Sequence, residues 1–260
     1  MSGGRIAWIS LTPVKATRLH YVDEADLLES GLSGDRRFYL IADTGRLVNN
    51  KDCGPLQQVW ADYDLRTDTL TMQFPDGEVL TAPVERGEEV RTRFHSRPRE
   101  ARLVNGPWAD ALSFLVGEQV HLVEPALPAA DRGRGGAATF LGTGSLAALA
   151  SALGVDDVDG RRFRMNFGVE GLDPHAEDDW IGKRIRVGAA IVIPQGHVGR
   201  CAVTTQSPES GRPDLDTLKA LAAYRGDLET TEPLPFGIHA AVAAPGRVRV
   251  GDPVEPLDPS

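Results

Sequence analysis

Cys201 sits in the stretch Gly196-His197-Val198-Gly199-Arg200-Cys201-Ala202-Val203-Thr204-Thr205. An arginine precedes the thiol directly and two threonines follow closely. A neighbouring cation favours the thiolate, the form that attacks carbon or binds metal. A free cysteine is also a small hydrophobe that fills core space, so both roles are open on the residues alone. The segment from Arg184 to Ile193 reads as a buried strand, and the segment after Asp214 reads as a helix. The thiol is therefore expected on a Gly-flanked turn between regular elements. Cys53 is the other cysteine. Neither belongs to a Cys-x-x-Cys pair, so this chain alone builds no zinc ribbon or cysteine-ligated iron–sulfur cluster.

Cations recur at several loops. Lys15 follows the apolar run Ile6–Leu11, at a strand end marked by Pro13, whose missing N–H should stop or bulge a ladder. Arg36 lies on the Gly31–Arg37 loop and reads as an anion clamp or as the partner of a nearby carboxylate. Arg161, Arg162 and Arg164 stand close to Asn166, as a grip for a phosphate or as a surface cluster. Arg91, Arg93, Arg97, Arg99 and Arg102 follow a partly two-residue period, the pattern of a solvated strand face. Glu177, Asp178 and Asp179 could hold a metal, although exposed acids in a first turn are the commoner case.

The elements that must position these groups are mainly strands. Phe38–Ala42 and Arg46–Val48 flank the turn Asp43-Thr44-Gly45, and residues 59–84 repeat the hairpin grammar around Pro75-Asp76-Gly77. The first ~100 residues thus read as antiparallel β, barrel-like in strand spacing. Trp108, Ala111, Leu112 and Leu115 fall on one helical face, and Gly117 ends the helix. Residues 125–136 have the composition of a loop, expected to be a lid or a domain junction. Ser145 is placed as the N-cap of a helix Leu146–Leu153, and Asp214 as the cap of a helix Leu215–Arg225.

The chain has 260 residues, 41% hydrophobic and 25% charged, as in an ordinary globular protein of one or two domains. A net charge of −9 argues against general nucleic-acid binding. No apolar run reaches membrane-spanning length, and the first residues lack the core of a secretory signal, so a cytoplasmic setting is expected. There is no P-loop, GxGxxG or HExxH.

Several segments together resemble a known family. Arg162-Phe163-Arg164-Met165-Asn166, Ala176-Glu177-Asp178-Asp179-Trp180 and Gly199-Arg200-Cys201-Ala202-Val203-Thr204-Thr205 are similar, in order and spacing, to the MOSC domain. Pro13-Val14-Lys15 and Gly34-Asp35-Arg36-Arg37-Phe38 resemble the MOSC N-terminal β-barrel domain, and Val250-Gly251-Asp252-Pro253-Val254 extends the likeness. The whole pattern resembles the mitochondrial amidoxime reducing components and their bacterial counterparts.

The resemblance implies a β-dominated α+β fold: a β-barrel-like module over residues 1–105 packed on a MOSC β-barrel with peripheral helices over 106–260, with an approximate boundary that the chain can cross. It implies a molybdenum cofactor, with Cys201 as catalytic thiolate and metal ligand. Lys15, Arg36, Thr143, Ser145, Arg164, Asn166 and Arg200 would bind the cofactor. It also implies reduction of N-hydroxylated or N-oxygenated small molecules, with electrons from a separate redox protein. Two alternatives stay open. One is a sulfur-carrier or cofactor-sulfuration protein in which Cys201 bears a persulfide, with no pyridoxal phosphate; the other is a cofactor carrier without turnover. Ala16 and Met165 depart from the Ser and Pro common in relatives, Gly199 stands where some relatives have Ser, and Cys53 matches no ligand.

Overall fold

The apolar residues of seven strands converge on one closed barrel. The structure, a computed structural model, describes residues 3–95, 97–126 and 133–258. Around the barrel run Gly4–Leu11, Phe167–Glu170, Ala138–Gly142, Pro235–Ala244, Ala190–Gly199, Ile185–Val187 and Pro253–Pro256, which pairs back onto Gly4–Leu11. Only Ala138–Gly142 and Phe167–Glu170 are parallel; the other barrel pairs are antiparallel. Closure leaves the barrel without a free edge. Its interior holds Ile6, Ile9, Phe140, Phe167, Ile185, Val192 and Ile238, all buried. Phe140 and Phe167 stack with centroids 4.9 Å apart.

A second set of strands packs beside it. Glu85–Phe94, Arg97–Asn105, Val120–Pro125, Tyr39–Ala42 and Leu47–Val48 form an antiparallel sheet in that order. Trp60–Asp64, Thr69–Gln73 and Val79–Pro83 form a three-stranded meander. Sheet, meander and the helix Trp108–Val116 share one core that includes Phe38, Leu56, Met72 and Trp108. The fold is β-dominated, as expected. The chain crosses between the two modules: Gly4–Leu11 lies in the barrel, whereas Val120–Pro125 lies in the other sheet.

Three local expectations change. Arg184–Ile193 is two strands, Ile185–Val187 and Ala190–Gly199, because Gly188 turns the chain at φ +56°. The helix expected from Ser145 starts at Thr143 with Gly142 as N-cap, and Ser145 lies inside it. The third helix is Thr217–Arg225, capped at Asp216; Asp214 instead pairs with Arg162. Part of the 125–136 stretch, residues 127–132, falls outside the described residues.

The barrel closes through a tight seam. Trp8 stands opposite Gly168, where the ladder of Gly4–Leu11 shifts register. A Cβ on Gly168 would lie 2.1 Å from the Trp8 indole. Gly168→Ala is therefore expected to force the ring or the strand aside. Overpacking of this kind costs about 1–3 kcal/mol. Urea unfolding followed by Trp fluorescence should show a lower midpoint with an unchanged slope.

Candidate functional site

The two modules meet at a cleft that encloses about 240 Å³. Lys15, Asp35, Arg36, Asn50, Lys51 and His95 line it from one side. Thr139, Arg164, Met165, Asn166, Arg200 and Cys201 line it from the barrel. Of the residues expected to bind the cofactor, Lys15, Arg36, Arg164, Asn166 and Arg200 are brought together here with Cys201. Thr143 and Ser145 are not among the lining residues.

Each cation is delivered by an unusual turn. Lys15 lies where Val14 bridges Phe38, and its N–H donates to the Phe38 carbonyl at 2.8 Å. Its ammonium lies 5.4 Å from the centre of the Phe94 ring, a cation–π contact. Ala16, Arg36 and Arg164 all take left-handed backbone, with φ of 82°, 48° and 53°. Such conformations cost about 1–3 kcal/mol each without glycine and cluster at functional sites. Arg36 donates to the Arg164 carbonyl at 2.7 Å, and Arg164 donates to the Thr17 carbonyl at 2.8 Å. The two guanidinium-bearing turns thus brace each other.

Asp35 organises this wall. Its carboxylate accepts from Thr12 N–H at 2.9 Å, from Asn166 Nδ2 at 2.9 Å and from the Arg36 guanidinium. Asn166 is further fixed by Thr139, whose hydroxyl donates to Oδ1 at 2.9 Å and accepts from Asn166 N–H at 2.8 Å. The other two arginines of that segment are committed elsewhere. Arg161 pairs with Asp159 and Glu209, and Arg162 makes a two-point contact with Asp214.

Cys201 follows the end of the strand Ala190–Gly199 and precedes a 3₁₀ turn, Ala202–Thr205. It is half-buried. The Thr204 N–H and hydroxyl both donate to the Cys201 carbonyl at 3.0 Å, and the Thr204 hydroxyl meets that of Thr217 at 2.8 Å. Arg200 is buried, and its guanidinium is engaged by protein acceptors. Nε donates to the Phe236 carbonyl at 2.8 Å and Nη1 to the Phe163 carbonyl at 2.9 Å. Arg200 therefore ties the strand end to two neighbouring segments. Gly199 has a steric reason: a Cβ there would lie 2.7 Å from the Glu232 carboxylate and 3.0 Å from the Pro233 carbonyl. Met165 is buried, with its sulfur 3.1 Å from Arg200 Nη2. Cys53 is buried in the other module, its thiol pushed up by burial.

The start of the helix Thr143–Leu153 is filled by Glu177 from within the protein. Its carboxylate accepts from Gly142 N–H at 3.1 Å and from the Ser145 hydroxyl at 2.7 Å. Burial nevertheless pushes that carboxyl up. Ser145 also accepts from His175 N–H at 2.8 Å. Asp178, next to Glu177, pairs with Arg225 at 2.7 Å. These acids serve packing, and among the described residues no three of His, Cys, Asp and Glu gather as a metal site. Asp35 and Thr139 do not stand out in the sequence as site residues, and Glu177 does so only as a candidate metal ligand. Of the first two, only Asp35 gives a local signal, an acid placed directly before a cation.

Two outcomes are expected. Asp35→Asn keeps the acceptor for Thr12 but removes the charge that faces Arg36. A buried donor left unsatisfied costs about 1–3 kcal/mol, readable as a lower urea midpoint. His175, beside Tyr224 and Phe236, is lowered to about 4 by burial, and by Arg225 against the opposing pull of Asp178. Its unfolded form therefore binds more protons between about pH 6.5 and 4, and stability falls as pH falls through that window. Asn tolerates the left-handed backbone of His175 (φ 64°). The drop in melting temperature between pH 7 and 4.5 should be smaller in His175→Asn than in the wild type.

Comparison with known proteins gives a consistent picture. A MOSC domain model matches residues 132–255, and a MOSC N-terminal beta barrel domain model matches residues 3–116. Mitochondrial amidoxime-reducing component 1 of Homo sapiens is 28% identical over 284 residues, covering 96% of this chain and 82% of its own. Mitochondrial amidoxime reducing component 2 of Macaca fascicularis is 27% identical over 291 residues, covering 96% and 83%. Among solved structures, the YUAD protein from Bacillus subtilis aligns over 97% of this chain and 94% of its own, with 15% identity and a TM-score of 0.49. The two family models between them take in nearly all of the chain, and the protein belongs to the MOSC domain proteins that carry a MOSC N-terminal β-barrel, similar to the mitochondrial amidoxime-reducing components.

Proposed function

We propose that this protein is a molybdenum-cofactor-dependent reductase of N-hydroxylated or N-oxygenated compounds, supplied with electrons by a separate redox protein. The observation that carries this is the convergence of one thiol and three cations, Cys201 with Lys15, Arg36 and Arg164, on a single cleft from segments far apart in the chain. The names of the relatives point to amidoxime reduction as the reaction class.

The donor set fits the cofactor. An anionic pterin bearing a phosphate and a dithiolene needs cations and one soft protein ligand. Asp35 is the only carboxylate lining the cleft among the described residues, and it is already taken up by Thr12, Arg36 and Asn166. Arg36 and Arg164 would hold the phosphate, for which the planar guanidinium is better shaped than an ammonium. Lys15 would add a point charge, and Asn166, held by Asp35 and Thr139, would present a fixed amide. Cys201 would coordinate the metal, its backbone steadied by Thr204. Bound there, the cofactor would supply two-electron redox chemistry while the protein orients it and tunes its electronics.

In the net reaction the N–O bond of the substrate breaks. Two electrons and two protons enter, and the reduced nitrogen compound and water leave. With Cys53 and Cys201 as its cysteines, the chain holds no cysteine-ligated cluster of its own. A separate donor is part of the same proposal. No helix among the described residues is long and apolar enough to cross a membrane, and a cytoplasmic setting is part of the same proposal.

The test is molybdenum and pterin content after production in a host that makes the cofactor, with Cys201→Ala alongside. Near-stoichiometric molybdenum is expected in the wild type, with an altered metal-centre spectrum and at least a hundredfold loss of amidoxime reduction in the variant. Protein with neither molybdenum nor pterin would overturn the proposal. Activity lost with an unchanged metal centre would transfer Cys201 to a sulfur-carrying role.

A further inference from the structure

The arginine run of the hairpin Glu85–Asn105 has no role in the cleft chemistry, and its charge is unlike the rest of the chain. The ten residues Val90–Arg99 carry Arg91, Arg93, Arg97, Arg99 and His95 and no acid, in a protein of net charge −9. We propose that this hairpin tip is the docking surface for the electron donor, and that the donor presents an acidic face. The proposal rests on the reductase reading and adds to it where the donor sits and what its surface carries.

The strands Glu85–Phe94 and Arg97–Asn105 pair up to Phe94 and Arg97. Cations at the base of the hairpin are neutralised. Arg86 pairs with Asp68 and Glu124, and Arg102 pairs with Glu89. The tip differs. Arg91, Arg93 and Arg97 are exposed and make no ion pair among the described residues. Glu100 stands opposite Arg91 in the ladder, with no ion pair between the two among the described residues, and the exposure of the three arginines gives them no packing purpose. Arg91 and Arg93, with Thr44, Thr92 and Pro98, line a shallow groove of about 260 Å³. Two guanidinium forks beside a groove suit carboxylates.

The tip is also anchored and continuous with the cleft. Arg93 N–H donates to the Gly45 carbonyl at 2.7 Å, and Phe94 is buried against Tyr39 with ring centres 5.2 Å apart. The same Phe94 ring lies under the Lys15 ammonium, and His95 lines the cleft itself. Arg97, paired with Phe94, shares the face of that ring, whereas Arg91 and Arg93 stand on the opposite face, so a protein seated over the hairpin end approaches the proposed cofactor past Arg97 and His95. The occupant is an acidic protein of limited size. A long polyanion would meet the net negative charge of the rest of the chain, whereas a compact acidic patch meets only the tip. A docking site of this kind acts mainly on encounter rate and depends on salt.

The test compares the wild type with Arg91→Glu/Arg93→Glu/Arg97→Glu, using an acidic [2Fe–2S] ferredoxin as the probe donor. Molybdenum content and circular dichroism show whether the variant is intact. The wild type should bind the ferredoxin at least tenfold more tightly at 20 mM than at about 300 mM salt. The variant should lose that affinity by tenfold or more, while amidoxime reduction driven by reduced methyl viologen stays within twofold. An intact variant that binds ferredoxin as the wild type does would overturn the docking surface alone. Single-stranded DNA bound as tightly as ferredoxin would overturn it too, leaving a general polyanion patch. Absence of viologen-driven turnover in the loaded wild type would overturn the reductase reading beneath it.

Discussion

One carboxylate holds the cleft in shape. Asp35 accepts from the end of the first strand through Thr12, from its neighbour Arg36, and from Asn166 on the barrel side. These are three segments that no local preference would bring together. A charged acceptor makes hydrogen bonds roughly twice as strong as neutral ones, so a single side chain can fix three partners at once. It also sets the balance of charge. Asp35 restrains Arg36 without cancelling Lys15 or Arg164, and the cleft stays cationic inside an acidic protein.

The opposite wall works by a different principle. Arg200 uses its guanidinium to hold backbone carbonyls of Phe163 and Phe236, which would otherwise lie buried with fewer donors. That clamp fixes the end of the strand from which Cys201 emerges. Gly199 lets the strand approach Pro233 and Glu232 closely. A serine there would require the 232–233 segment to move away. The glycine at this position therefore follows from local packing, and the same clamp gives Met165 a contact through its sulfur.

The parts of the site that were legible in sequence are those carried by short motifs. Lys15, Arg36, Arg164, Asn166 and Cys201 each sit at a strand end or a tight turn, and the order of those motifs placed them in one cleft. Thr143 and Ser145 do not line the cleft, and the helix start they belong to has a local physical account. A helix N-terminus attracts an anion, but here the anion is Glu177, and nothing local to the helix reveals it. Arg200 looked like a counterion because it adjoins the thiol in sequence, yet its side chain turns to carbonyl oxygens many residues away. The β-dominated fold was readable from alternation and turns. The membership of Gly4–Leu11 in the barrel was not, because an isolated apolar strand does not name its partners.

That first strand has a consequence for how the molecule comes into being. Apart from the nearby His20–Val22, its neighbours, Phe167–Glu170 and Pro253–Pro256, lie across most of the chain. Non-local pairing of this kind is slow, because loop-closure entropy is lost before contacts compensate for it. As the chain is synthesised, Ile6, Trp8 and Ile9 have no barrel to enter, whereas the sheet and meander between Tyr39 and Pro125 can form from closer partners. The closed barrel waits for the last strand. Lys15 and Asp35 are made early, Asn166 and Cys201 late, and the cleft exists only once both have met. Whatever occupies it therefore meets a chain already synthesised through Cys201.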